Sequence, residues 1–257
     1  MSNKTINTEQ GHWLLAKMGK RVLRPGGREL TEKLVSELHI NHDDAVVEFA
    51  PGMGYTAALL LEKKPKKYTG IELNEEAAAL LQKKIHLNGY QVKNASAAAT
   101  GLDASSVNKV IGEAMLTIQP DHRKSEIIRE AYRILKSGGS YGIHELGLMP
   151  DHVQPEIKSE VQLGLAKSIK VNARPLTKSE WCALLEKEGF KIKTVEESPM
   201  HLLKLKRILE DEGWLRTLKI CLNVLIHPYA AKRIFEMRRT FNKYEDHLTA
   251  YAIIAEK

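Results

Sequence analysis

The stretch Val46-Val47-Glu48-Phe49-Ala50-Pro51-Gly52-Met53-Gly54-Tyr55-Thr56 decides the fold. Ala45 to Ala50 is a short apolar run of the kind that forms a buried strand, and the residues from Tyr55 onward begin a helical pattern. Glycines at such a turn let the backbone come close to a ligand where any side chain would collide with it, and the helix behind offers unpaired N–H groups.

Outward from this turn the same alternation repeats. Strands are expected at 45–50, 68–73, 107–112 and 140–146, with helices at 55–64, 74–88 and 121–136, the second opened by an Asn74 cap and the third by Asp121. That rhythm implies βαβ units and a doubly wound, mostly parallel sheet. Residues 8–40 read as two helices separated by Arg24-Pro25-Gly26-Gly27, the second with Leu30, Leu34, Val35 and Leu38 on one face. Downstream, a helical segment follows Pro150, and Thr177-Lys178-Ser179-Glu180 is a capping box that starts a helix ended by Gly189. Strands are expected at 192–195 and 249–255, and the segment between them is too long and too helical for a hairpin loop. The chain therefore divides into an N-terminal helical lid (1–44), a core (45–199), an inserted helical cap (200–247) and a final core strand (248–257).

Composition sets bounds on function. With 257 residues, 43% apolar, and two cysteines, the chain is no fibre, disulfide scaffold or disordered tail, and it buries a full core without metals or crosslinks. Cys182 and Cys221 belong to no CxxC pair or histidine-rich set, so they read as free thiols and no metal site is expected. Met1 to Gln10 is polar, and no apolar run approaches the roughly 20 residues that span a bilayer, which points to a cytoplasmic protein without a transmembrane segment. The net charge of +7 invites an anionic partner. Ten basic residues against four acidic ones lie between Met200 and Lys243, so the excess belongs to the cap and the core is close to neutral.

Gly52-x-Gly54-x-x-Ala57, with Glu72 twenty residues after Gly52, also satisfies a dinucleotide fingerprint, which keeps an NAD-linked oxidoreductase as an alternative. Glu48 weighs against it, because an acid four residues before the first glycine sets negative charge beside a pyrophosphate. A cationic ligand reverses that argument. S-adenosylmethionine has no phosphate, carries a sulfonium and an ammonium, and calls for one acid near the first strand and another at the end of the second for its ribose.

The chain here resembles the class I S-adenosylmethionine-dependent methyltransferases, in particular small-molecule enzymes with a type 11-like domain, over roughly 45–146. Glu48-Phe49-Ala50-Pro51-Gly52-Met53-Gly54 is similar to the family's first motif, with Ala50 in place of the first glycine. Gly70-Ile71-Glu72-Leu73-Asn74 is similar to its second-strand acid motif. Val110 to Leu116 is similar to the fourth strand and its turn, and Ile134-Leu135-Lys136-Ser137-Gly138-Gly139 to the turn into strand five. Arg24 to Thr31 resembles a Gly-Gly-x-x-x-Thr element of phosphoethanolamine-type enzymes. The resemblance implies a Rossmann-like sheet of seven strands with the last antiparallel. It also implies S-adenosyl-L-methionine as cofactor, held by Glu48, Ala50, Pro51, Gly52, Gly54, Glu72, Leu73, Ala98 and Glu113. Where many members carry an acid for adenine, this chain has Ala97.

Methyl transfer is an in-line displacement from which the leaving group departs as a neutral thioether, so the protein's task is alignment in a dry pocket and no catalytic triad is expected. Catalytic candidates are Glu145 and His144 at the end of strand five and His12, beside Trp13, in the lid. Adjacent strand residues point to opposite faces, so one of the pair 144/145 should face the pocket, Glu145 being favoured over a buried structural role. Lys63-Lys64-Pro65-Lys66-Lys67 reads as a solvated loop at the opposite edge. The expected acceptor is a small molecule, anionic or lipid-like. Nucleic acid is disfavoured, since no RNA-binding module and no Asn-Pro-Pro-Tyr motif is present, although an RNA methyltransferase and a catalytically silent binding protein stay as alternatives. The oligomeric state is open.

Overall fold

A computed structural model describes residues 10–85 and 89–257. Residues 1–9 of the expected lid and the expected helix end at 86–88 lie outside the described residues. The elements in chain order are α1 (Gly11–Lys17), α2 (Gly27–Glu37), β1 (Ala45–Phe49), α3 (Tyr55–Glu62), β2 (Lys67–Glu72), α4 (Glu75–Lys84), β3 (Tyr90–Asn94) and β4 (Val107–Glu113). They continue with α5 (Asp121–Ile134), β5 (Leu135–Leu148), α6 (Pro155–Ile169), β6 (Leu176–Thr177), α7 (Lys178–Lys187), β7 (Lys191–Pro199), α8 (Leu205–Glu212), α9 (Trp214–Ile226), α10 (Pro228–Lys243) and β8 (Leu248–Glu256).

The main sheet runs β3-β2-β1-β4-β5-β8-β7, a Rossmann-like methyltransferase order, and only β8 opposes its neighbours. The two-residue β6 pairs beside the end of β5. The expected seven strands, the antiparallel last one and the Asn74 cap, which accepts from Ala77 N at 2.8 Å, are all present. So is the capping box of Thr177 and Glu180. Two local expectations differ. Pro120, not Asp121, takes the cap position of α5, and Asp121 instead accepts from the buried Lys124 Nζ at 3.1 Å. The edge strand β3 was not read from the sequence, because its half-buried, mostly polar Tyr-Gln-Val-Lys-Asn lacks an apolar run.

Both faces of the sheet are covered. Val47 and Phe49 of β1 pack with Ile127, Ile128 and Ala131 of α5 and Trp181 of α7, while Val46 on the opposite face packs with Leu30 and Leu34 of α2, Leu38 just after it, Leu60 of α3 and Leu81 of α4. Burial of each such side chain stabilises by ~1.5–3 kcal/mol. A third core lies beyond the carboxyl ends of the strands, where Leu14, Leu15 and Met18 of the α1 region meet Val161 and Leu165 of α6, Leu202, and Met237 and Phe241 of α10. The two helices ahead of β1 therefore differ in place: α1 shares the third core with α6 and α10, and α2 covers the sheet. The apolar stripe of each helix was legible, but a stripe does not name the surface it meets.

Buried polar contacts bolt α8 to the chain ahead of α2. Asp211 accepts from Arg28 N at 2.8 Å and from Lys20 Nζ at 3.4 Å, and Glu212 accepts from Arg21 N at 2.7 Å and Val22 N at 2.9 Å. Gly27 has φ +70°, and a Cβ there would sit 2.5 Å from Asp211 Oδ1. Asp211→Ala withdraws a partner from a buried ammonium and should lower the unfolding free energy by ~3 kcal/mol in urea titrations. Gly27→Ala, strained and in collision, should cost ~2 kcal/mol in the same measurement.

Candidate active site

The carboxyl ends of β1, β2 and β4 meet where strand order reverses, the edge at which open α/β sheets bind ligands. Two alanines stand in the left-handed backbone region at this edge. Ala50, at φ +53°, donates its N–H to Ile71 O at 2.8 Å, and Ala114, at φ +52°, donates to His144 O at 2.7 Å. The two glycines of the first turn differ in what they serve. A Cβ on Gly54 would lie 2.4 Å from Leu81 Cδ1, whereas one on Gly52 would meet only Ala50 O, at 3.9 Å. Gly54 admits α4 against α3, and Gly52 leaves its backbone open to the cavity.

That cavity has a volume of about 340 Å³. One end is lined by Ala50, Pro51, Gly52, Met53 and Glu72, the floor by Glu113, Ala114 and Met115, and the far end by Leu165 and Ile169 of α6 with Met200, Leu202, Met237 and Phe241. His12, Trp13 and Arg24 complete the wall. Glu72 presents a carboxylate oriented by two backbone amides, Gly52 N at 3.1 Å and Asn74 N at 2.9 Å. The residue is only 8% exposed, and its exposed edge is the cavity. An acid held this way suits a ligand bearing paired hydroxyls.

Glu113 is the electrostatic centre. Its Oε1 accepts from Thr31 Oγ1 at 2.7 Å and lies 2.7 Å from His144 Nδ1, while its Oε2 accepts from Arg24 Nη1 at 2.9 Å and from Thr56 Oγ1. Burial alone would raise the Glu113 carboxyl, but the charge of Arg24, the hydrogen bond and charge of His144 and the Thr56 hydroxyl hold it at about 2. His144 Nε2 faces the Pro25 carbonyl at 2.5 Å, which can only accept. The ring thus bridges the Glu113 carboxylate and the Pro25 carbonyl. Arg24 also lies over the Tyr55 ring, 4.9 Å from its centroid.

Of the expected site residues, Ala50, Pro51, Gly52, Glu72, Glu113 and His12 are brought together around the cavity. Others are placed elsewhere. Glu145 is fully buried and faces the β4 turn, where it accepts from Met115 N at 3.0 Å, Leu116 N at 2.8 Å, Thr117 N at 2.9 Å and Thr117 Oγ1 at 2.7 Å. His144 is equally buried, so neither member of that pair lines the cavity. Strand alternation separates the two faces of β5 but does not state what covers each, and the 115–117 turn covers Glu145. Glu48 lies behind the turn, where it accepts from Tyr68 OH at 2.6 Å, and burial pushes its carboxyl up to about 8 against that hydrogen bond. It does not supply the exposed negative charge expected of it. Ala98 spends its N–H on Ser96 Oγ at 3.2 Å, Leu73 projects 62% exposed beside Glu72, and Gly54 belongs to helix packing. Arg24, Thr31 and Thr56 were missed as partners of Glu113. The Gly26-Gly27-x-x-x-Thr31 pattern was the available signal.

Residues 46–139 match the family described as a methyltransferase domain. An uncharacterized protein of Haemophilus influenzae is 34% identical over 253 residues, covering 97% of this chain and 98% of its own. A small-subunit ribosomal RNA methyltransferase A of Prochlorococcus marinus is 29% identical over 108 residues, 42% of this chain and 35% of its own. Among solved structures, phosphoethanolamine N-methyltransferase 2 of Haemonchus contortus, in complex with S-adenosyl-L-methionine, superposes with TM-score 0.73 at 17% identity over 99% of this chain and 58% of its own. The SpnF cyclase superposes with TM-score 0.74 at 14% identity over 97% and 94%.

Glu145→Gln puts an amide N–H₂ against a set of donors and should lower thermal stability by ~2 kcal/mol or more, a change visible in the melting curve without any ligand. Glu48 has the opposite signature. Its folded pKa lies above the ordinary 4.5, so the folded state keeps a proton that the unfolded state loses, and stability falls as pH rises from about 4.5 to about 8. Glu48→Gln should remove that fall, so the melting temperature of the variant relative to wild type should climb across the same window.

Proposed function

Because the chain belongs to the class I S-adenosylmethionine-dependent methyltransferases, we propose that it methylates a small, largely apolar acceptor bound beneath the cap. Supporting this is the continuity of one cavity from the Glu72 end, which suits a nucleoside ribose, to the apolar end under α6 and α10. S-adenosylmethionine, when bound, supplies a methyl group on a sulfonium that leaves as a neutral thioether.

The chain's own residues supply position and exclusion of water. Glu72, fixed by the Gly52 and Asn74 amides, takes the ribose hydroxyls without reorganising. The open backbone at Gly52 lets the ligand approach, and the exposed Met53 beside it offers an apolar flank to a flat base. Leu165, Met200, Met237 and Phe241 keep the acceptor end dry. Burial lowers the His12 imidazole below its ordinary value, so at neutral pH the ring is uncharged and able to take a proton from an acceptor that arrives protonated. Glu145 and His144 are positioning residues here. One shapes the β4 turn, and the other fixes Glu113.

The partial match to a ribosomal RNA methyltransferase favours RNA as the second reading. The enclosure of the cavity by α1, α6 and α10 side chains weighs against it. Methylation assays on total RNA and on a metabolite extract separate the two, with label expected in the extract. Calorimetry with S-adenosylmethionine tests the cofactor site. Wild type should bind, and Glu72→Ala should weaken binding about 100-fold, the loss of a charged hydrogen-bond pair. Absence of wild-type binding, or wild-type affinity in the variant, would overturn the assignment.

A further inference from the structure

Helix α9 is turned inside out. Trp214, Leu215, Leu218, Leu222, Leu225 and Ile226 are each 52–74% exposed, and at about 100° per residue they fall on one arc of roughly a third of the helix circumference. The opposite side, facing the protein, carries Thr217, Ile220 and Asn223, with Asn223 Nδ2 donating to Met18 O at 2.9 Å. The apolar side thus faces out and the more polar side in. The exposed arc continues through the turn at Pro228 to Tyr229, and the preceding α8 adds exposed Leu205 and Leu209. A patch of this kind marks an interaction surface.

The surrounding charge says what it meets. Lys206, Lys219, Lys232, Arg238 and Arg239, all on α8 to α10, are exposed and carry no acidic partner among the described residues. A second copy of the chain, docked through the same face about a two-fold axis, would set these cations against one another. An anionic lipid surface satisfies both features at once, with the apolar arc in the headgroup boundary and the cations over the phosphates. No helix among the described residues is long and apolar enough to cross a membrane, so the contact is with one face of a bilayer.

We propose that α8 to α10 dock the protein on an anionic membrane, with α9 as the inserted element. The inner side of α10 supplies Met237 and Phe241 to the cavity, so the docking surface and the acceptor chamber are two sides of one helical layer. This docking goes beyond methyl transfer and stands without it.

The test is co-sedimentation of the full chain with vesicles of phosphatidylcholine alone or mixed with phosphatidylglycerol, with the tryptophan emission of Trp214 as a second readout. Binding should require phosphatidylglycerol, weaken with salt, and shift the emission to the blue, a shift lost in Trp214→Phe. Leu222→Glu with Leu225→Glu should lower the partition about a hundred-fold or more, and Lys206→Gln with Lys219→Gln about ten-fold, both folded by circular dichroism. No sedimentation of wild type with phosphatidylglycerol vesicles overturns the proposal, as does full binding by the double glutamate variant. A solution dimer split by the glutamates, without vesicle binding, assigns the face to a second copy and overturns it equally.

Discussion

The buried carboxylate of Glu113 is where the separate parts of the molecule are held in register. Arg24 reaches it from the chain ahead of α2, Thr31 from α2, Thr56 from α3 and His144 from β5, while Glu113 itself ends β4. A charge taken out of water is tolerated only when its lone pairs are met, and here Oε1 meets the Thr31 hydroxyl and the His144 ring while Oε2 meets the Arg24 guanidinium and the Thr56 hydroxyl. The cavity floor, the covering helix and the N-terminal segment thereby become one constraint. Pro25, through its carbonyl on His144, extends that constraint to the Gly26-Gly27 turn and so to α8. Helix α8 is thus tied toward the sheet through polar contacts, beside the apolar core that α1, α6 and α10 share.

Much of the fold was legible because it depends on local rules. The run Ala45 to Phe49, the glycines after it and the periodic helix beyond state a strand, a turn and a helix independently of anything distant. The polar edge strand β3 is the counterexample, since its pairing with β2 stabilises it more than its own residues do. In the site, residue types and positions were legible and directions were not. Glu48 and Glu113 stand at the ends of β1 and β4 as the spacing implies, whereas His144 and Glu145 lie inside β5, which runs on to Leu148. Which carboxylate meets the cavity depends on what covers the others, Tyr68 for Glu48 and the 115–117 turn for Glu145. Those partners come from β2 and from the turn after β4, and no local pattern names them.

The positive charge also divides once contacts are known. Lys204 pairs with Glu245, Arg216 with Glu212 and Lys243 with Glu160, so part of the cap's excess is internal to the fold. Net charge counted along the sequence does not separate cations paired within the fold from those without an acidic partner among the described residues.

Gly52 and Gly54 sit two residues apart in one motif, yet they answer to different neighbours. Gly54 is bounded by Leu81, a side chain, and a smaller residue at 81 would make room for a Cβ at the cost of a left-handed alanine like those already present at 50 and 114. Gly52 has no such side-chain counterpart in the chain, because a Cβ there would meet only the Ala50 carbonyl oxygen at 3.9 Å. Across relatives of this chain, position 54 is therefore free to drift together with position 81. Position 52, at φ +54°, has no side chain packed against it, so its variation would track a change of ligand, and covariation between positions would separate the packing glycine from the binding one.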